Sequence, residues 1–219
     1  MRAAPFCVLL LLVATPAVAA DSGSEDDPSL FVRTGIGIGR LRSRNSKAPS
    51  VGASVVDSFA HWGSSLELTV GAQYRRWTVG ATILEQVVEL DAKDWKATYP
   101  LTGDITITLF TVGPTVEWHR DRLEGRECRR PTCTPANPRG GPWLGGTLGL
   151  AQLSFGSTVD PFGVAAAAQG GWDFPTSADG RTSVGIGARL TYARLADDAN
   201  GGSRQEVFSP MLLFTWARR

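Results

Sequence analysis

The chain has 219 residues, a formal net charge of +1 from 22 basic and 21 acidic side chains, and only two histidines. Charges so evenly balanced and scattered give no electrostatic case for a nucleic-acid partner. Beyond the N-terminus no apolar run reaches the ~18 residues of a spanning helix. Glycine (25) and tryptophan (7) are abundant, lysine is scarce, and the apolar residues are spread thinly rather than clumped.

The first residues run from the positive Arg2 through the apolar stretch Phe6 to Val13, past Pro16, to the small-residue exit Ala17-Val18-Ala19-Ala20 and the acidic stretch Asp21 to Asp27. That order predicts a secretory signal peptide over 1–20, then a short polar segment over 21–29 and one domain over 30–219. Cys7 sits inside the apolar run rather than after a cleavage motif, which argues against a lipid-anchored N-terminus.

From residue 30 onward the period is two rather than 3.6. The first alternating segment, near 30–40, contains Gly35-Ile36-Gly37-Ile38-Gly39. It resembles a phosphate loop only superficially, since no helix pattern follows it. The second, 66–74, puts Leu66, Leu68, Val70, Ala72 and Tyr74 on one face and Glu67, Thr69, Gly71 and Gln73 on the other. Segments near 77–89, 104–119, 142–155, 162–173, 181–194 and 205–217 follow. In the seventh, Val184, Ile186, Ala188, Leu190 and Tyr192 oppose Ser183, Gly185, Gly187, Arg189 and Thr191; in the eighth, Phe208, Leu212, Phe214 and Trp216 share a face. Ala165 to Ala168 read as strand.

Alternation alone does not say which face is inside. The segments exceed the ~5–6 residues of soluble strands and match the ~9–11 of a tilted bilayer crossing. With the N-terminus periplasmic, Tyr74, Trp77, Trp118, Trp143, Trp172 and Trp216 all fall at periplasmic strand ends, as an aromatic girdle would; Trp143 is out of phase with the apolar face. Trp62, Phe155, Phe162, Tyr192 and Phe208 form a looser ring at the other end. The connections alternate as well: a tight Arg75-Arg76 corner and a short 174–180 turn on the periplasmic side, longer polar stretches over 41–63, 90–103 and 195–204 on the outer side. The long, basic, proline-rich 120–141 falls on the periplasmic side against that rule.

The predicted lumen carries Arg33, Glu67, Gln73, Arg75, Glu117, Gln169, Asp173 and Arg189. An eight-stranded barrel is filled by side chains, so these charges have to pair, and Arg33 and Arg189 are expected against Glu67 and Glu117. Gly35, Gly37, Gly39, Gly185 and Gly187 would leave room for them. Cys128 and Cys133 bracket a short loop that an oxidising compartment would close as a disulfide; no further ligands accompany them, so no metal site and no cofactor are expected. His61 has Ser58, Ser64 and Ser65 nearby in sequence, and His119 sits at a strand end. Neither marks a Ser-His hydrolase.

The signal peptide, Leu148-Gly149-Leu150-Ala151-Gln152-Leu153, the segment Ser183 to Tyr192 and the closing Phe208 to Trp216 strand together resemble the small outer-membrane β-barrel family of the OmpA transmembrane domain and OmpX. The resemblance implies an all-β, eight-stranded, antiparallel up-and-down transmembrane barrel in the outer membrane of a Gram-negative bacterium, inserted by the barrel-assembly machinery. It implies a non-enzymatic structural or surface-interaction role, with outer-membrane lipid as its surroundings, a monomeric state and segment 41–63 facing an extracellular partner. A soluble periplasmic lipocalin-like barrel binding an apolar ligand and a lipid-modifying outer-membrane enzyme are the alternatives.

Overall fold

In the computed structural model the alternating segments form β1 (Ser29–Asn45), β2 (Ser58–Tyr74), β3 (Trp77–Leu90), β4 (Ile105–His119), β5 (Gly141–Ser154), β6 (Phe162–Pro175), β7 (Thr182–Asp197) and β8 (Ser203–Arg218). The structure describes residues 28–45, 58–90, 105–120, 140–154, 161–177, 181–197 and 203–219. The predicted signal peptide, Cys128, Cys133 and Phe155 lie outside them. Each strand pairs antiparallel with its sequence neighbour, and β8 closes back on β1.

The register fixes the tilt. Starting at Ile36 and stepping through Leu66, Glu85, Phe110, Gln152, Phe162, Ala196 and Arg204, the path returns to β1 one place beyond Asn45, ten residues above its start. A stagger of that size over eight strands tilts them by ~40° and leaves an interior just wide enough for side chains. Of the four prolines inside strands, Pro114 and Pro210 sit where one ladder lapses. Pairing of β1 with β8 skips Arg40 and Leu41 beside Pro210, and pairing of β4 with β5 skips Gly113 and Pro114, because proline has no N–H to give. At the two-residue corner between β2 and β3, Arg75 takes the left-handed conformation (φ 53°) that a tight hairpin demands.

Two predicted boundaries change. Strands β1 and β2 extend through Leu41–Asn45 and Ser58–Gly63, so most of what remains of the predicted loop 41–63 is 46–57, outside the described residues. Arg75 is exposed at the corner and Gln73 is half-buried beside it, donating to the Arg75 carbonyl; neither enters the lumen as predicted. The reason is position: the hairpin turns over just there, so the side chains reach past the barrel mouth.

Candidate functional site: a lumen filled in two compartments

The outer face supplies the first constraint. Leu30, Ile36, Ile38, Val79, Leu144, Leu148, Val164, Ile186, Leu212 and Phe214 are all exposed. That is the reverse of a soluble barrel, in which such residues would be turned inward. At the end bearing both termini, Tyr74, Trp77, Trp118, Trp172 and Trp216 project outward. Once strand tilt is allowed for, Trp62, Phe110, Phe162, Tyr192 and Phe208 fall together at the far end. On β6, Trp172 and Phe162 mark the two edges ten residues apart, which is ~25 Å of height at this tilt, the band height of outer-membrane barrels.

Trp143 does not belong to that girdle. It is 0% exposed and lies inside the barrel. The register of β5 with β6 runs unbroken from Gly141 to Gln152, so no bulge rotates it outward and the odd positions of β5 stay inward. There the indole stacks on Arg33, whose guanidinium carbon is 3.7 Å from the ring centroid, with Phe31 on that cation at 5.1 Å. A Cβ on Gly187 would stand 3.2 Å from the indole, so the missing side chain makes room for it.

Around this stack the lower lumen holds one continuous charged network. Arg33 donates to Glu117 (2.7 Å) and Asp173 (3.2 Å), and Arg219 donates to the same Asp173 oxygen (2.9 Å). Higher up, one Arg189 nitrogen donates to both Glu67 (2.8 Å) and Gln169 (2.7 Å). The Gln169 amide then donates to Glu117 (2.9 Å), joining the two ion pairs. Three guanidiniums meet three carboxylates, all buried or nearly so, which is the condition under which charges are tolerated away from water. Gly145 and Gly185 let the acids in: a Cβ there would come within 2.8 Å of Glu117 Cγ and 2.7 Å of an Asp173 oxygen, respectively. Gly37 and Gly39 instead accommodate Leu213 and Met211 of β8.

Arg219 and His119 are the members that period-two reading missed. The strand alternation carries His119 inward, and it carries Arg219, one place past β8, inward as well. Burial lowers the Arg219 guanidinium from its ordinary value, and Asp173 opposes that shift. Arginine can only donate, so the Arg219 contact to His119 Nδ1 (3.3 Å) makes Nδ1 an acceptor. In the neutral ring the proton is then on Nε2, which faces Glu117 (3.4 Å) and the Thr78 hydroxyl (3.3 Å). An imidazole in that tautomer cannot take a proton from Thr78. His61 is no better placed as a base. Its neighbour Ser64 is on the opposite face of β2, and Ser65 is ~13 Å along the strand.

Level with the Glu67–Arg189 pair, a belt of hydroxyls crosses from β2 to β5, with Thr69 bonded to Thr82 (2.8 Å), Thr82 to Thr115 (2.7 Å) and Thr115 to Thr147 (2.7 Å). Thr115 donates to Thr82. Each hydroxyl has one proton, so Thr147 donates to Thr115, while Thr69 and Thr82 share the last bond of the belt. Beside it, against Arg189, is a cavity of about 10 Å³, room for about one water.

Then the pattern inverts. Leu41, Val88, Leu90, Ile107, Leu109, Leu153, Leu195 and Val207 are buried inside the barrel as one apolar cluster, while Arg40, Arg42, Arg44, Glu89, Thr106 and Arg194 are on the outside. A single strand shows both patterns. On β1, outward Ile36 and Ile38 give way to Arg40, Arg42 and Arg44, and inward Arg33 gives way to Leu41.

No protein-family model matches the chain, and no curated protein matches its sequence. Among solved structures, Neisserial surface protein A aligns with a TM-score of 0.53 at 14% identity, covering 88% of this chain and 99% of that one. The outer-membrane protein OprG from Pseudomonas aeruginosa aligns at 0.43 and 11% identity, over 90% and 100% of the two chains. Ail of Yersinia pestis aligns at 0.41 and 14% identity, over 86% and 99%. With its closed order of eight antiparallel strands, the chain has the fold of the small outer-membrane barrels typified by the OmpA transmembrane domain and OmpX.

Proposed function

We propose that this protein is a non-enzymatic outer-membrane barrel that acts as a closed scaffold, spanning the bilayer with its lower two-thirds and holding the connections at its far end toward the exterior. The observation that carries this reading is the double closure of the lumen. The charged network and the apolar cluster lie in series along the axis, so neither ions nor apolar solutes have a continuous path. The reversed outer face and the two aromatic rings support bilayer insertion over a soluble lipocalin-like barrel. Closure of β8 on β1 leaves no strand edge for a second copy, which supports a monomer. With Leu41–Asn45 and Ser58–Gly63 in strands, 46–57 becomes the part of the first outward connection available to an extracellular partner.

Full-length mature protein reconstituted in planar lipid bilayers tests this reading. Insertion is read from a gel band that shifts on boiling, and the expected result is an inserted protein with no steady single-channel conductance. Large steady channels would refute the closed lumen, and a detergent-free soluble protein with no boiling shift would refute the membrane reading.

A further inference from the structure

The outer wall at the far end is electrically lopsided. Arg40, Arg42 and Arg44 on β1 and Arg194 on β7 are exposed and point away from the barrel, and Arg204 on β8 lies between them. Among the described residues, Arg40, Arg42, Arg44 and Arg194 form no ion pair. One acid interrupts the arc, Glu206, set by the register against Arg44 on one side and Arg194 on the other. Two strands on from β1, β3 presents Glu85 and Glu89 instead. Arginines occur at the other rim too, in two separate groups: Arg75, Arg76 and Arg120 about the β2–β3 corner and the end of β4, and Arg181 with Arg218 where β7 meets β8.

Height narrows the choice of ligand. Arg40 pairs across the sheet with Trp62 and Arg42 with Phe208, so the arc begins at the upper aromatic ring, directly above the lipid-facing Ile36 and Ile38. Side chains there project sideways into the layer of lipid head groups, not upward toward a partner at the mouth. Alternate residues on a strand are ~7 Å apart, close enough for one phosphate group to meet two guanidiniums, the geometry in which arginine binds phosphate best. Water around exposed arginines would not require five of them on three neighbouring strands.

We propose that Arg40, Arg42, Arg44, Arg194 and Arg204 form a docking surface for phosphate-bearing head groups of the surrounding leaflet, a reading that rests on the membrane insertion proposed for the barrel. It is distinct from the lumen network, whose arginines are all paired inward. Its consequence is a preferred lipid shell on the β7–β8–β1 side and a depleted one beside β3.

The test uses the full mature protein inserted in vesicles of four parts phosphatidylcholine to one part phosphatidic acid, with lipids that stay bound after mild detergent extraction counted by native mass spectrometry. Wild type should retain phosphatidic acid over phosphatidylcholine, and Arg40→Gln/Arg42→Gln/Arg44→Gln/Arg194→Gln should lose that preference by about tenfold or more, given the contribution of each basic residue near an anionic surface. The matching lysine variant should keep most of it. A boiling-sensitive gel band confirms that each variant is inserted; failure of wild type to insert would sink the membrane reading itself. An inserted quadruple glutamine variant with undiminished preference overturns the docking surface. So does an equal loss from Arg76→Gln/Arg120→Gln/Arg218→Gln at the other rim, full displacement by millimolar inorganic phosphate, or an arginine-dependent affinity for a soluble sulfated polysaccharide with no lipid preference.

Discussion

The two halves of this barrel solve the same problem with opposite faces. In the lower half the hydrophobic free energy comes from the outer wall: Leu30, Ile36, Leu144 and Ile186 face lipid, so the inside is free to hold charge provided every charge is partnered. In the upper half the outer wall is polar and wet, so burial has to come from inside, and Leu41, Ile107, Leu109, Leu153 and Leu195 supply it. The strands are continuous across the change. What differs is only which of two alternating positions carries the apolar side chain, and on the proposed membrane reading the switch marks where the bilayer ends.

The largest effect should come from breaking the lower half's balance. Glu117 accepts from both Arg33 and Gln169, so Glu117→Ala leaves the buried Arg33 to share Asp173 with Arg219 and should cost about 3 kcal/mol, read as a lower urea midpoint for the vesicle-inserted barrel. Arg33→Met combined with Glu117→Leu should recover most of that, since an apolar pair of similar bulk leaves no charge behind. In the upper half the corresponding change is a cavity. Leu109→Ala should cost about 3 kcal/mol, and no second substitution of charge should rescue it. Should Glu117→Ala prove no worse than a surface change, the lower compartment would not be the tightly partnered network its distances describe.

Much of this was legible from period two alone. The eight segments, the inward Arg33, Glu67, Glu117 and Arg189, and the outward Tyr74, Trp77 and Trp216 all follow from counting alternate positions. The upper half was not legible, because Arg40-Leu41-Arg42-Ser43-Arg44 looks like a polar loop when the apolar face is assumed to stay outward. With the inversion allowed, the same residues continue the strand. Trp143 was misplaced for a related reason. Its height matches the girdle, and only its odd position on β5 shows that it points inward. Arg219 does follow the same alternation, two places after inward Ala217, but it lies one place past the end of β8 and beyond Trp216, the last aromatic that marks the strand.

The inversion itself has a direct test on the outer wall. Leu148, 68% exposed near the middle of the apolar belt, should tolerate arginine poorly, with Leu148→Arg costing about 2–3 kcal/mol at that depth. Thr106 is also exposed and outward, but beside the apolar cluster, and Thr106→Arg should stay within about 0.5 kcal/mol. Equal costs at the two positions, measured by the same unfolding assay, would erase the proposed bilayer boundary.

The smallest expected effect probes the neutral part of the lower compartment. Thr115 is the middle of the hydroxyl chain, donating to Thr82 and accepting from Thr147. Thr115→Val keeps the shape but removes both roles. Thr82 loses a donor yet can still give its proton to Thr69, so it is left short of an acceptor role only. Thr147 loses its acceptor outright, and an unpaired buried donor costs more than a lost bond made good elsewhere. The expected loss is about 1–2 kcal/mol, below that of Glu117→Ala because no charge is exposed. Thr69→Val, at the end of the belt, should cost less than Thr115→Val, since it ends one bond rather than two. If the order is reversed, the belt is held by packing rather than by the hydroxyl chain.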